Sequence, residues 1–171
     1  MQYDFLFLDR DGVINERLID DYVKNPAEFK LIHGAKEALS ELRPLFKRIF
    51  LVTNQQGVGK KCMSLKDLHE VHEFFLKDID IEFDGIYYCT ELAEHNPICR
   101  KPQPGMAWKA QSDFPEVDYS RSVMVGDSDS DIEFGNRLGM MTVFIGKGSE
   151  RNPELECKDL SEFAYRYKTD I

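Results

Sequence analysis

The stretch FLFLDRDGVIN, Phe5 to Asn15, runs four apolar residues into two aspartates separated by a single arginine. A short apolar run closed by charge and glycine reads as a buried strand. Residues two apart in extended backbone face the same side, so Asp9 and Asp11 look into one pocket at the strand end. Two carboxylates so placed repel, and one pKa rises unless a cation sits beside them. A plainer reading is a strand ending in an Asp-Gly turn, since both residue types favour turns for local reasons. The rest of the chain weighs between the two.

β-type runs alternate with helical patterns throughout. GAKEALSELRPLF, Gly34 to Phe46, has helical spacing at Ala35, Ala38, Leu39 and Leu42, and KRIFLVT, Lys47 to Thr53, is a strand run. Ser64 followed by Asp67 opens a helix whose Leu65, Leu68, Val71, Phe75 and Ile79 form a buried stripe. Gly85–Thr90 reads as a strand, Gly105–Phe114 as a helix, Ser122–Val125 as a strand, Asp131–Leu138 as a helix and Thr142–Ile145 as the last strand. The tail after Gly146 reads as a loop before a short helix around Leu160–Tyr167. Such alternation predicts right-handed βαβ crossovers and an α/β fold: a three-layer, Rossmann-like parallel sheet flanked by helices.

The 171 residues suit one domain, 1–171, with a real core. A composition 42% apolar and 31% charged is that of a globular chain without a disordered tract. Thirty-one acidic against 22 basic residues, a formal charge of −9, argue against nucleic acid or an anionic membrane as partner. No apolar run approaches a membrane span and no basic segment precedes one near the start, so a cytoplasmic protein is expected. Cys62, Cys89, Cys99 and Cys157 are too few and scattered for a disulfide framework, which leaves reduced thiols or one metal site as the expectation.

In folds of this class ligands bind beyond the carboxyl ends of the strands. Read there, the sequence gives Asp9-Arg10-Asp11-Gly12, Thr53-Asn54-Gln55, Cys89, and GDSDSD from Gly126 to Asp131, all on one rim. Asp127 supplies a third carboxylate near Asp9 and Asp11, and an oxygen-only set with room for water and phosphate suits Mg2+. Thr53 and Asn54 offer a hydroxyl and an amide that hold phosphoryl oxygens without adding charge, or else form an ordinary turn. Arg100 and Lys101 precede Pro102, which restricts Lys101 to extended backbone and makes the pair an anion clamp or solvated surface charge. Asp131 is either a partner of the helix dipole or the residue that orients Lys101.

In order, DRDG, VTN, RKP and GDSDSD resemble the haloacid dehalogenase superfamily of phosphohydrolases, over roughly Phe5 to Val143. LDRDGVIN, VTNQQGVG, DGIYYC, CRKPQPGM and MVGD are similar to the branch of heptose bisphosphate and histidinol phosphatases, more so to the heptose enzymes. The resemblance implies that Asp9 attacks phosphorus and forms an aspartyl-phosphate, and that Asp11 serves as general acid and then base. It also implies Mg2+ held by Asp9, the Asp11 carbonyl and Asp127. Thr53, Asn54 and Lys101 would bind the phosphoryl group, Arg100 would recognise the substrate, and Asn15 and Gln55 would line the pocket. The short segments between motifs leave no room for a large cap domain, so a small phosphorylated sugar is the expected partner, bound by a monomer.

The branch also carries a zinc loop, from which this chain departs. Cys89 and Cys99 stand at the first and last ligand positions, but Glu91 replaces the expected His and Pro97 the expected Cys. His95 offers a substitute ligand, giving Zn2+ on Cys89, His95 and Cys99, while the alternative is an ordered loop without metal. Ser128 likewise replaces a lysine common in the heptose enzymes. His33, His69 and His72 read as surface or packing residues. The expected activity is removal of the C7 phosphate of D-glycero-D-manno-heptose 1,7-bisphosphate. Histidinol phosphate or another small sugar phosphate is the alternative substrate, and a non-catalytic phosphate-binding module the alternative of another class.

Overall fold

The run FLFL forms a strand buried on both faces because its side chains alternate between two apolar layers. In the computed structural model, which describes residues 3–170, this strand β1 (Phe5–Leu8) lies central in a six-stranded, all-parallel sheet. The others are β2 (Arg48–Asn54), β3 (Gly85–Cys89), β4 (Ser122–Gly126), β5 (Met141–Ile145) and β6 (Leu155–Cys157), in spatial order β3-β2-β1-β4-β5-β6. The chain winds outward from β1 through β2 to β3 and then returns to place β4 on the other side of β1. That reversal opens a crevice at the carboxyl ends of β1 and β4, where a Rossmann-like sheet binds ligands.

Among the described residues five α-helices cover the sheet: α1 (Ala35–Leu42), α2 (Leu65–Asp78), α3 (Gly105–Asp113), α4 (Asp129–Leu138) and α5 (Leu160–Thr169). Leu6, Leu8, Leu51 and Val125 pack with Leu39 and Leu42 of α1, Val71 and Phe75 of α2, and Phe163 of α5. Phe7, Phe50 and Met124 face the other way, onto Met106 and Ala110 of α3 and Phe134 of α4. These are the three layers the alternation predicts.

Local chemistry sets the boundaries. Ser64 and Asp67 exchange cap bonds at the start of α2: Ser64 Oγ accepts from Asp67 N at 3.1 Å, and Asp67 Oδ2 accepts from Ser64 N at 2.7 Å. The stripe on α2 begins at Leu68, since Leu65 is 44% exposed. The first helix stops at Leu42 rather than Phe46, because Pro44 lacks the N–H that would continue it and Arg43–Leu45 form a 3-10 turn instead. The tail holds one strand more than expected: Leu155–Cys157 pairs with Val143–Ile145 as β6. Among the described residues no helix is long and apolar enough to cross a membrane.

Candidate active site

The first turn after β1 places every group of DRDG differently. Asp9 N donates to Val125 O at 3.0 Å, which carries the β1–β4 ladder one residue past the strand and aims Asp9 into the crevice. Arg10 points the other way and is fully buried. Gly12 has φ of +86°, and a Cβ there would stand 2.0 Å from Asp127 Oδ2, so only glycine lets the turn lie against that carboxylate.

Asp11 is restrained from three sides. Arg10 Nη2 donates to both its carboxylate oxygens at 2.9 and 3.0 Å, Asn15 Nδ2 to Oδ1 at 2.9 Å, and Gln55 Nε2 to Oδ2 at 2.8 Å. Burial works to raise its pKa, but the Arg10 charge and the Asn15 and Gln55 bonds outweigh it and hold Asp11 below the ordinary carboxylate range. The charge opposing Asp9 therefore comes mainly from elsewhere. Burial, countered by Lys101 and reinforced by Asp131 and Asp127, lifts Asp9 to about 7, with Asp11 the smallest contributor.

Lys101 is the cation among these carboxylates. Its Nζ donates to Val52 O at 2.7 Å and lies 3.0 Å from Asp9 Oδ1 and 2.7 Å from Asp131 Oδ1. Both contacts lie within charge-assisted hydrogen-bonding distance. Burial disfavours the ammonium, yet Asp131 and Asp9 together keep its pKa above the ordinary lysine value. Asp131 is oriented in turn by Ser128, whose N and Oγ donate to Oδ2 at 3.0 and 2.7 Å. Helix α4 thus begins two residues earlier than the sequence reading placed it, with Ser128 at the cap.

Asp9, Asp127 and Asp131 each offer a carboxylate oxygen within 4.8 Å of the other two, the one such group of potential metal ligands among the described residues. Asp127 Oδ1 is buried without a partner. Its carboxyl is lifted to about 6, first by burial and then by the Asp131 charge, against the pull of Arg17. A hard, oxygen-only donor set with an unsatisfied buried oxygen fits Mg2+. Here the other Asp127 oxygen meets Arg17 Nη1 at 3.3 Å. Arg17 belongs to a polar loop that carries no motif pointing to a site.

These groups open onto a cleft of about 520 Å3 lined by Asp9, Asp11, Asn54, Arg100, Lys101 and Asp127, and also by Arg17, Tyr22, Gln56, Lys60, Ser128 and Ser130. Thr53, Asn15 and Gln55 are buried and are not among the lining residues. Gln55 Nε2 joins Thr53 Oγ1, at 2.9 Å, to Asp11, and Asn15 braces Asp11 from the other side. All three stand behind the cleft wall, whereas the resemblance implies that Thr53 binds the phosphoryl group and that Asn15 and Gln55 line the pocket. Asn54 lines the cleft, but its amide is committed to the Lys101 backbone.

The loop expected to hold zinc carries a disulfide. Cys89 and Cys99 are joined as a disulfide, with an S–S distance of 1.98 Å and Cα atoms 5.3 Å apart, so neither sulfur is a free thiolate ligand. His95 is not grouped with them as a ligand and instead lies 3.6 Å from Glu94. Cys62 and Cys157 remain free.

Comparison with known proteins agrees with this geometry. A HAD-hydrolase-like family model matches residues 98–165. The D-glycero-beta-D-manno-heptose-1,7-bisphosphate 7-phosphatase of Helicobacter pylori is 34% identical over 165 residues, 92% of each chain. The D-glycero-alpha-D-manno-heptose-1,7-bisphosphate 7-phosphatase of Mycobacterium tuberculosis is 39% identical over 136 residues, 78% of this chain and 72% of that one. The crystal structure of D,D-heptose 1,7-bisphosphate phosphatase from B. bronchiseptica, complexed with magnesium and phosphate, superposes with a TM-score of 0.87 at 27% identity. It covers 98% of this chain and 99% of that one. At 34% identity over 92% of each chain, the chain belongs to the heptose-bisphosphate phosphatase family of haloacid dehalogenase-like hydrolases.

Proposed function

We propose that the chain is a Mg2+-dependent phosphomonoesterase that removes the C7 phosphate of D-glycero-D-manno-heptose 1,7-bisphosphate, acting as a single-domain monomer in the cytoplasm. The observation that carries the chemistry is the Lys101–Asp9 pair at 3.0 Å beside Asp127, at the mouth of the one crevice where β1 and β4 end. The substrate is taken from the two relatives, whose names agree on the bisphosphate and position but differ in anomer.

Asp9 is the nucleophile: a carboxylate oxygen attacks phosphorus in line, the phosphorus–sugar oxygen bond breaks, and the phosphoryl group passes to Asp9. Asp11, ionised in the free protein, first takes up a proton from solvent as the phosphate charge enters beside it, and gives that proton to the departing sugar oxygen. It then takes a proton from the water that attacks the acyl-phosphate, which frees inorganic phosphate and restores Asp9. Arg10, Asn15 and Gln55 fix Asp11 for both transfers. Lys101 balances charge on Asp9 and on the transferring oxygens, and Asp131 keeps the ammonium in place. Asp9, Asp127 and the Asp11 carbonyl would hold Mg2+, which would supply positive charge to offset repulsion between carboxylate and phosphate. The open cleft, with no large cap domain over it, suits a small polar sugar.

The test is phosphate release, with and without Mg2+, from heptose 1,7-bisphosphate, histidinol phosphate and an aryl phosphate. The reading expects Mg2+-dependent turnover, highest on the bisphosphate and abolished by Asp9→Asn. Faster turnover of histidinol phosphate would move the assignment to the sister activity, and absence of turnover on all three would leave a phosphate-binding module.

A further inference from the structure

Cys89 and Cys99 stand where the resemblance implies a metal, and here they are joined covalently instead. The two ends of that bond belong to different parts of the site. Cys89 ends β3, is buried, pairs with Asn54 of β2, and its carbonyl accepts from Gln55 N at 2.7 Å. Cys99 immediately precedes Arg100 and Lys101, which line the cleft. The bond therefore fastens the cation-bearing loop to the sheet, across a sequence separation of 10.

Little else fastens that loop. None of residues 90–98 is buried, so it has no apolar anchor of its own. Its links to neighbouring turns, Ala93 N to Gln56 Oε1 at 3.2 Å and Gln103 Nε2 to Asn96 Oδ1 at 3.0 Å, are exposed and exchange with bonds to water. Arg100 and Lys101 depend on the loop differently. Lys101 is gripped by Asn54 and by the buried Asp131 carboxylate whether or not the bond is closed. Arg100 N donates to Pro97 O at 3.0 Å, within the loop, so Arg100 moves with it.

A metal clasp and a disulfide fix a loop alike, but only the disulfide opens by gaining two electrons. In a compartment kept reducing, such as the cytoplasmic setting proposed above, disulfides are transient and sensing rather than structural.

We propose that the Cys89–Cys99 bond is a redox switch on substrate affinity: closed, it seats Arg100 at the cleft, and opened by a dithiol reductant, it frees residues 90–98 and Arg100 while Lys101 stays. The proposal rests on the phosphatase reading given above. In the opening step a thiolate of the dithiol attacks Sγ of the half-buried Cys99 rather than that of the buried Cys89. The Cys89–Cys99 bond breaks, and Cys89 leaves as a thiolate that takes up a proton. The second thiol of the reductant then displaces Cys99, so two electrons and two protons reach the protein and the reductant becomes a disulfide. Exchange with an oxidised dithiol reverses the step.

The experiment measures kinetics on heptose 1,7-bisphosphate in saturating Mg2+, with the protein oxidised and after dithiothreitol. Alkylation counts the free thiols of the denatured chain, and a Glu-specific protease probes the loop at Glu91 and Glu94. Reduction is expected to add the thiols of Cys89 and Cys99 to those of Cys62 and Cys157. It is expected to speed cleavage at Glu91 and Glu94, and to raise KM about tenfold with kcat within about twofold. The double variant Cys89→Ser/Cys99→Ser should show the raised KM in both conditions, and Cys62→Ser should respond as wild type does. Cys89 and Cys99 already free before reduction, or a KM that reduction leaves unchanged in an active enzyme, would overturn the switch while the phosphatase reading stands. Absence of turnover in both conditions overturns both.

Discussion

Asn54 grips Lys101 by its backbone on both sides: Asn54 Oδ1 accepts from Lys101 N at 3.0 Å, and Asn54 Nδ2 donates to Lys101 O at 3.1 Å. The end of β2 is thereby tied to the loop that delivers the buried ammonium, across 47 residues of sequence. Two hydrogen bonds of this kind contribute roughly 1 kcal/mol each. Asn54→Ala should lower kcat about tenfold or more by letting Lys101 drift from Asp9, while KM changes less. Steady-state kinetics checks this, and a rise in KM at constant kcat would instead make Asn54 a direct substrate contact.

Arg17 meets Asp127 Oδ2 at 3.3 Å with a side chain that is 58% exposed. It competes with a cation for that carboxylate and repels the cation as well. An exposed ion pair is worth well under about 1 kcal/mol, so Arg17→Gln should tighten Mg2+ binding only a few-fold. Calorimetric titration of Mg2+ into wild type and variant reads this directly. Weaker binding in Arg17→Gln would show that Arg17 assists the metal site rather than opposing it.

The raised carboxyls give a pH signature. Asp9 at about 7 and Asp127 at about 6 hold protons in the native state that the unfolded chain, near 3.8, does not. Between those limits the metal-free protein binds more protons folded than unfolded, so this part of its stability is lost as pH rises through 6 to 7. Mg2+ needs both groups ionised, so its stabilisation runs the opposite way and grows with pH. The increase in Tm on adding Mg2+ should be larger at pH 8 than at pH 5.5, and Asp127→Asn should remove most of it. An increment that is flat across this range would rule out these carboxylates as the site.

What could be read in advance follows how locally each feature is encoded. FLFL, IFLV and SVMV carry their own strand signal, being continuous apolar runs, and the polar residues that end them had to share one rim once the sheet was parallel. Asp9, Asp127 and Asp131 were placed on the rim for that reason, and Lys101 through the Arg-Lys-Pro loop. LEC was not legible, since β6 is three residues long and its single alternation about the exposed Glu156 is too short to mark a strand. Amides were legible as site residues but not by role: Asn54, Asn15 and Gln55 end up holding Lys101 and Asp11 because of packing that no spacing encodes. Arg17 reaches Asp127 from 110 residues away, and Cys89 finds Cys99 where the resemblance had suggested a metal.

Gly12 converts close approach into a testable constraint. A methyl group at this position would overlap the Asp127 carboxylate, and φ of +86° is itself unfavourable for any other residue. Gly12→Ala should therefore displace Asp127, weaken Mg2+ binding by at least tenfold, and lower stability by about 1 to 3 kcal/mol. Denaturant unfolding together with Mg2+ titration separates the two effects. A variant with normal Mg2+ affinity would mean that the turn and Asp127 move independently.

His72 on α2 is buried, with Nε2 lacking a hydrogen-bond partner and its ring edge-on to Phe75 and Tyr88 at 5.8 and 6.0 Å. Burial, followed by the nearby charge of Arg10, depresses its pKa to about 3. The unfolded chain takes up a proton near 6.5 that the native state refuses until about 3, so stability is lost as pH falls through that window. The full slope for one proton is about 1.4 kcal/mol per pH unit. The Asp9 and Asp127 contributions have the opposite sign, so the His72 effect is read in saturating Mg2+, which keeps those carboxylates ionised. His72→Phe preserves the aromatic contacts and removes the titrating group, and should leave stability at pH 7.5 within about 1 kcal/mol while flattening its fall between pH 6 and 4.5. Denaturant unfolding at a series of pH values makes the comparison, and parallel curves for the two proteins would place the acid sensitivity elsewhere in the chain.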